Sequence, residues 1–154
     1  MKLDIELIPQ TAWGSNLRKM LSKNDWDKIR KAVYQKENMH CHICGCMCTS
    51  MDAHEVWDFN EHTHVQKLVD IIGICKDCHN TIHLGRAEKI GLGQQAKEHF
   101  LRVNQCDRLD LQESIMMAQD RFRRLSAVTD WKLDLSFIEK QGFHPTLDKT
   151  KRKD

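Results

Sequence analysis

The sequence predicts an α+β fold organised around a bound metal. Three observations lead there. Two Cys-x-x-Cys pairs, Cys41/Cys44 and Cys75/Cys78, stand thirty residues apart. Each pair presents two thiolates on a tight turn, and two such turns can close a tetrahedron around one Zn²⁺. Between them Val56, Trp57 and Phe59 mark a β-prone stretch. Outside them apolar residues recur at helical spacing: Trp26, Ile29 and Val33 on one side, and Leu111, Ile115, Ala118, Phe122 and Leu125 on the other.

Taken in order, residues 1–21 read as an irregular lead-in anchored by Trp13 and Leu17. A helix is expected over about 25–35, with an N-cap among Ser22 to Asn24. The first knuckle occupies 40–48, where Cys46 and Cys48 crowd the pair and could substitute as ligands. Residues 49–59 read as extended chain or a short hairpin. Val65, Leu68 and Val69 suggest a short helix over 62–70, and Ile71, Ile72 and Ile74 feed the second knuckle. A helix is expected to start near Cys78, carry His79 and His83, and end at Gly85. One helical turn follows over 86–90, closed by Gly91 and Gly93. Further helices are expected over 94–104 and 109–127, and Trp131 to Ser136 alternate as a short closing strand or extended latch. Cys106 reads as a core residue.

Composition bounds the function. A chain of 154 residues suffices for one domain with a moderate core. The organisation expected is a single domain over 1–147: a core at about 38–90, an N-terminal helix at 22–36, a C-terminal helical part at 94–138, and a basic tail at 148–154. No apolar run approaches the roughly 18 residues that span a bilayer, so no membrane partner is expected. The first residues lack the basic head and apolar run of a signal peptide. A cytoplasmic location follows as an expectation, and there seven cysteines favour metal over disulfides. Net charge is only +2. Its distribution says more: Arg121, Arg123 and Arg124 cluster and could neutralise phosphates, or form a solvated helix face.

The chemistry concentrates near the second knuckle. His79-x-x-x-His83 puts two imidazoles one turn apart on a helix, where they can share a metal. Asp52-Ala53-His54-Glu55 precedes Val56-Trp57; on a strand Asp52 and His54 share a face and Glu55 takes the other. A neutral imidazole or a carboxylate can deprotonate water or bind a metal.

The order Cys-x-x-Cys, strand-borne His54, then Cys-x-x-Cys-His79 resembles the zinc-knuckle class of HNH endonucleases. The resemblance implies a ββα-metal core with a four-cysteine zinc knuckle. It also implies His54 as general base, His79 as a metal ligand, and His83 as the second helical histidine of the colicin-type branch. The second divalent metal would be Mg²⁺, Mn²⁺, Ni²⁺ or Zn²⁺. Over most of its length the chain also resembles a wider set of bacterial and phage HNH-type proteins. That likeness rests on Ile8-Pro9-Gln10-Thr11-Ala12-Trp13 with Trp26, His54-Glu55-Val56-Trp57, His64-Val65-Gln66-Lys67-Leu68, Cys78-His79 to His83-Leu84-Gly85, and Trp131 to Ser136. Two positions depart from the motif. Ala53 stands where a ligating Asp or His precedes the base, so Asp52 and Glu55 are the residues that could supply that ligand. Asp70 holds the place of the catalytic central asparagine; ionised, it accepts hydrogen bonds but cannot donate one. The resemblance implies hydrolysis of phosphodiesters in nucleic acid, with DNA as the expected partner and a homodimer suited to cutting both strands. The alternative is a non-catalytic zinc-stabilised module binding nucleic acid or a protein partner, including a phage-encoded inhibitor.

Overall fold

The computed structural model describes residues 1–13 and 17–146; the basic tail expected at 148–154 lies outside the described residues. Helix α1 spans Lys23–Lys36. It is capped by Ser22, whose hydroxyl accepts the Asp25 N–H at 3.1 Å, and it buries Trp26, Ile29 and Val33. Strands β1 (Asp52–Asn60) and β2 (Val65–Ile74) form an antiparallel hairpin. Asn60 sets the turn: its side-chain oxygen accepts the N–H of His62 and Thr63 at 2.9 and 3.0 Å. A third strand, β3 (Lys132–Asp134), pairs in parallel with the start of β2, so the described sheet runs β1-β2-β3.

Register explains which side chains face where. Val56 pairs with Asp70 but Trp57 pairs with Leu68, so Val69 is an extra residue in β2. Such a bulge reverses which face successive side chains occupy. Leu68 and Ile71, three apart, therefore enter the same core, with Ala53, Trp57 and Phe59 of β1 and Trp26, Ile29 and Val33 of α1. The opposite face carries Ile72 and Ile74 into a second core with Leu3, Met51, Ile82 and the cysteines. Both faces are thus covered at the end of the hairpin near Ile72 and Ile74, while Asp58, Lys67 and Val69 are exposed nearer the turn.

The expected helix over 62–70 is therefore a turn and the first half of a strand. Val65, Leu68 and Val69 have helical spacing in the sequence, but Val69 is the extra residue of the bulge and is exposed, and the alternation is further hidden by Gln66. That residue is polar yet fully buried, its side-chain oxygen accepting the Trp13 N–H at 2.9 Å.

After β2 come α2 (Lys76–Ile82), α3 (Leu84–Lys89), α4 (Gly93–Asn104), α5 (Arg108–Ser126) and α6 (Ser136–Glu139). The chain breaks at His83 rather than at Gly85, which lies inside α3. Helix α5 starts with a reciprocal capping box between Asp107 and Asp110. It buries only Leu111 and Leu125 fully; Leu109, Met116 and Met117 are exposed. Cys106 is half-buried rather than core. The lead-in is tied down at Leu3, whose N–H and carbonyl both bond the Asn104 side chain (3.0 and 2.8 Å), and at Glu6, whose N–H reaches the Ile82 carbonyl at 2.9 Å. No described helix is long and apolar enough to cross a membrane.

Candidate metal centre and adjoining cleft

The two knuckles meet. Gly45, at φ 78°, turns the first one and donates its N–H to the Cys41 carbonyl at 2.9 Å. The His42 N–H bonds the Gly73 carbonyl at 2.9 Å and so docks this loop on β2. Cys75 is the N-cap of α2. One sulfur each from Cys41, Cys44, Cys75 and Cys78 then lies within 4.8 Å of the others, with Cys44 and Cys75 sulfurs 3.8 Å apart. Four sulfurs held tetrahedrally at a Zn–S distance of about 2.3 Å would sit about 3.8 Å from one another. Backbone N–H groups also point at sulfur: Cys44 to Cys41 at 3.5 Å and Cys78 to Cys75 at 3.3 Å. The cysteines are free rather than paired as disulfides.

Charge supports the same reading. A hydrogen bond from Cys78 draws the Cys41 thiol down to about 3, while the same contact pushes Cys78 up. Burial pushes Cys75 up to about 11. Crowded alone, the four cannot all ionise; a divalent cation lets four thiolates share the space. These residues fit a zinc ion. Cys46 and Cys48 lie 3.8 Å from each other at the edge of the knuckle and outside the four-sulfur group.

A second cluster flanks the first. His54 of β1, His79 of α2 and His83 just beyond it each offer a ring nitrogen, the three within 4.8 Å of one another. Ring centroids are 5.8 Å (His54–His79), 5.4 Å (His54–His83) and 4.9 Å (His79–His83). His54 is 7% exposed. Burial, with the neighbouring histidines, lowers His83 to about 4, so it is neutral with a lone pair to give. Asp52 sits behind His79: its Oδ2 accepts the Nδ1 proton at 2.8 Å and its other oxygen pairs with Lys76. The His79 hydrogen bond, with Lys76, holds Asp52 at about 2. This fixes the His79 tautomer and leaves Nε2 for the cluster.

The histidines line a cleft of about 560 Å³, with Glu6, Arg18, Trp26, Lys76, Asn80 and Arg86 around them. The Glu6 carboxylate lies 3.7 Å from His54 Nε2.

Other expected residues stand outside the three-histidine group. Glu55 lines the same cleft, but its Oε1 accepts the Leu17 N–H at 2.7 Å; Asp52, also at the cleft, supports His79 rather than joining that group. Asp70 is not among the residues lining the cleft; it accepts the Ile71 N–H at 2.8 Å and lies 4.0 Å from Lys36. Ala53 lines the cleft too, packed against the α1 core and offering no ligand atom. Arg124 grips Glu61 and Asp120, Arg123 reaches Asp120 at 3.9 Å, and Arg121 stacks over Phe59; all three sit on α5, outside the cleft. His64, without an expected role, ties the hairpin turn to β3: its ring bonds Asp130 at 2.6 Å and its carbonyl accepts the Lys132 N–H at 2.7 Å.

Sequence reasoning missed Glu6, Arg18, Asn80 and Arg86 at the cleft, and His99 behind Cys78. The first two lie more than thirty residues from the histidines in the chain, so no local pattern marks them. His99 was detectable as a lone histidine between Ala96 and Phe100 on an apolar helix face. No family model matches the chain, and no curated protein and no solved structure matches it either.

Proposed function

We propose that the chain is a metal-dependent phosphodiesterase of the HNH type acting on nucleic acid, with DNA as its substrate. One observation carries the reading: β1 delivers His54, and α2 and its C-terminal end deliver His79 and His83, to a common cleft beside the cysteine cluster. The hairpin-then-helix order of these elements agrees with the resemblance described above. In this reading the cysteines hold structural zinc, and His79 with His83 holds a second divalent ion. When bound, that ion would polarise the phosphate and stabilise the leaving oxygen. His54 accepts the proton of the attacking water at a ring nitrogen, with the Glu6 carboxylate 3.7 Å from its Nε2. Asp52 keeps His79 oriented. Lys76 and Arg86 add positive charge at the rim, where phosphates would enter.

A cleavage assay on supercoiled plasmid and single-stranded DNA tests this, with Mg²⁺, Mn²⁺, Ni²⁺ or Zn²⁺ added to the zinc-loaded protein. Cutting by the wild type and a loss of at least about a hundredfold in folded His54→Ala are expected. A wild type inert with every metal sinks the nuclease reading. The surviving alternative is a zinc-stabilised binding module. It draws on Ala53, which lines the cleft without a ligand atom, and on Asp70 away from the cleft, which leave two places of the motif unfilled.

A further inference from the structure

We infer that His99, outside the four-sulfur group, is a positioning residue for the zinc centre: as a neutral Nε2–H imidazole it donates a hydrogen bond to the Cys78 thiolate, with Arg102 selecting that tautomer. His99 lies on α4, 8% exposed, with Nε2 3.2 Å from Cys78 Sγ. On its other side Arg102 Nη2 lies 3.4 Å from Nδ1. A guanidinium has only donors, so Nδ1 must accept and carries no proton. A neutral ring then bears its proton on Nε2, aimed at sulfur. Cys78 is fully buried and already receives part of its surroundings from α2 itself. The bond from α4 is thus a polar side-chain contact by which a second helix reaches the cluster, beside the apolar packing of Val103.

The chemistry follows from what thiolates do around zinc. Four of them bring more negative charge than one Zn²⁺ cancels, and the excess makes each sulfur basic and open to protons and alkylating agents. A donated N–H draws off part of that charge and strengthens the hold on the metal, as outer hydrogen bonds do around other centres. The inference rests on the cysteine site alone and is independent of any nuclease activity. It also separates His99 from the cleft histidines, which serve a different group.

The test uses the full-length, zinc-loaded protein with ¹⁵N-labelled histidine. Long-range proton–nitrogen correlation should show His99 as the neutral Nε2–H tautomer. His99→Phe should release zinc to a chromophoric chelator about tenfold faster than wild type. In the cobalt-substituted form, the same change should move the sulfur-to-cobalt charge-transfer band to longer wavelength, which loss of packing alone would not do. An Nδ1–H tautomer, nitrogen coupling to a ¹¹³Cd probe from His99, or an unchanged release rate and band position overturns the inference. Should His99→Phe not fold, the wild-type tautomer and the ¹¹³Cd spectrum decide alone.

Discussion

Asp52 and Glu55 stand three residues apart on β1, and their surroundings push their carboxyls in opposite directions. Asp52 is held at about 2 by the hydrogen bond from His79 and by Lys76. Burial raises Glu55 to about 7, against weaker opposing pulls from the Leu17 N–H, Trp57 and Arg18. The two therefore have opposite pH signatures. The native state favours protonated Glu55, so that contribution is present below its ordinary value of 4.5 and is lost as pH rises through about 7. Glu55→Gln keeps the acceptor for Leu17 and removes the titration. Chemical denaturation should find it roughly 1–3 kcal/mol more stable than wild type at about pH 8 and nearly equal at about pH 4; equal stabilities at both values would refute the burial argument. Asp52→Asn removes the carboxylate that orients His79. Calorimetric titration of the zinc-loaded protein with Mn²⁺ or Ni²⁺ should show the second ion bound about 10–100-fold more weakly. Strand alternation alone was enough to put Asp52 and His54 on one face and Glu55 on the other. That Asp52 would support a histidine, and Glu55 a backbone amide of the lead-in, depended on contacts with residues far away in the chain.

At the scale of elements, α1, the knuckles and α5 were legible because each announces itself locally. Ser22 caps, Trp26-Ile29-Val33 repeat, the cysteines pair, and Leu111-Ile115-Ala118-Phe122-Leu125 keep a helical period. Strand β2 was hidden because two nonlocal facts break its alternation: the bulge at Val69 and a buried Gln66 whose partner is Trp13. The same strand shows how closely α1 approaches. A Cβ added at Gly73 would lie 2.9 Å from Met51 Cε and 3.1 Å from Glu37 Cγ, and Glu37 also accepts the Gly73 N–H at 3.2 Å. Met51 Cε is the free end of a flexible side chain and can shift, so Gly73→Ala should cost about 1 kcal/mol, set by the Glu37 contact. Thermal unfolding checks this, and an unchanged midpoint would mean that α1 sits less tightly on the sheet.

In the whole molecule, the sheet separates two cores. One is an ordinary apolar layer under α1; the other is built around the cysteines, with Leu3, Ile74 and Ile82 packed on them. A zinc ion held there would stand in for part of a hydrophobic core, and α2 begins at two of the four cysteines. Stripping zinc with a chelator at neutral pH should destabilise the protein by roughly 5 kcal/mol or more. Hydrogen exchange should then quicken in α2 before it does in α1. Simultaneous exchange in both would show one cooperative core. The composition pointed to metal, and the two knuckles pointed to each other, but the cleft required the full path of the chain, since Glu6 arrives from the N-terminal lead-in and Arg86 from α3. The most direct test of the two-centre arrangement is X-ray absorption on protein loaded with one Zn²⁺ and then with Ni²⁺. The expected result is zinc with four sulfurs at about 2.3 Å and nickel with imidazole nitrogens, the nickel alone lost in His83→Ala. Nitrogen around the zinc, or nickel binding that survives His83→Ala unchanged, would contradict it.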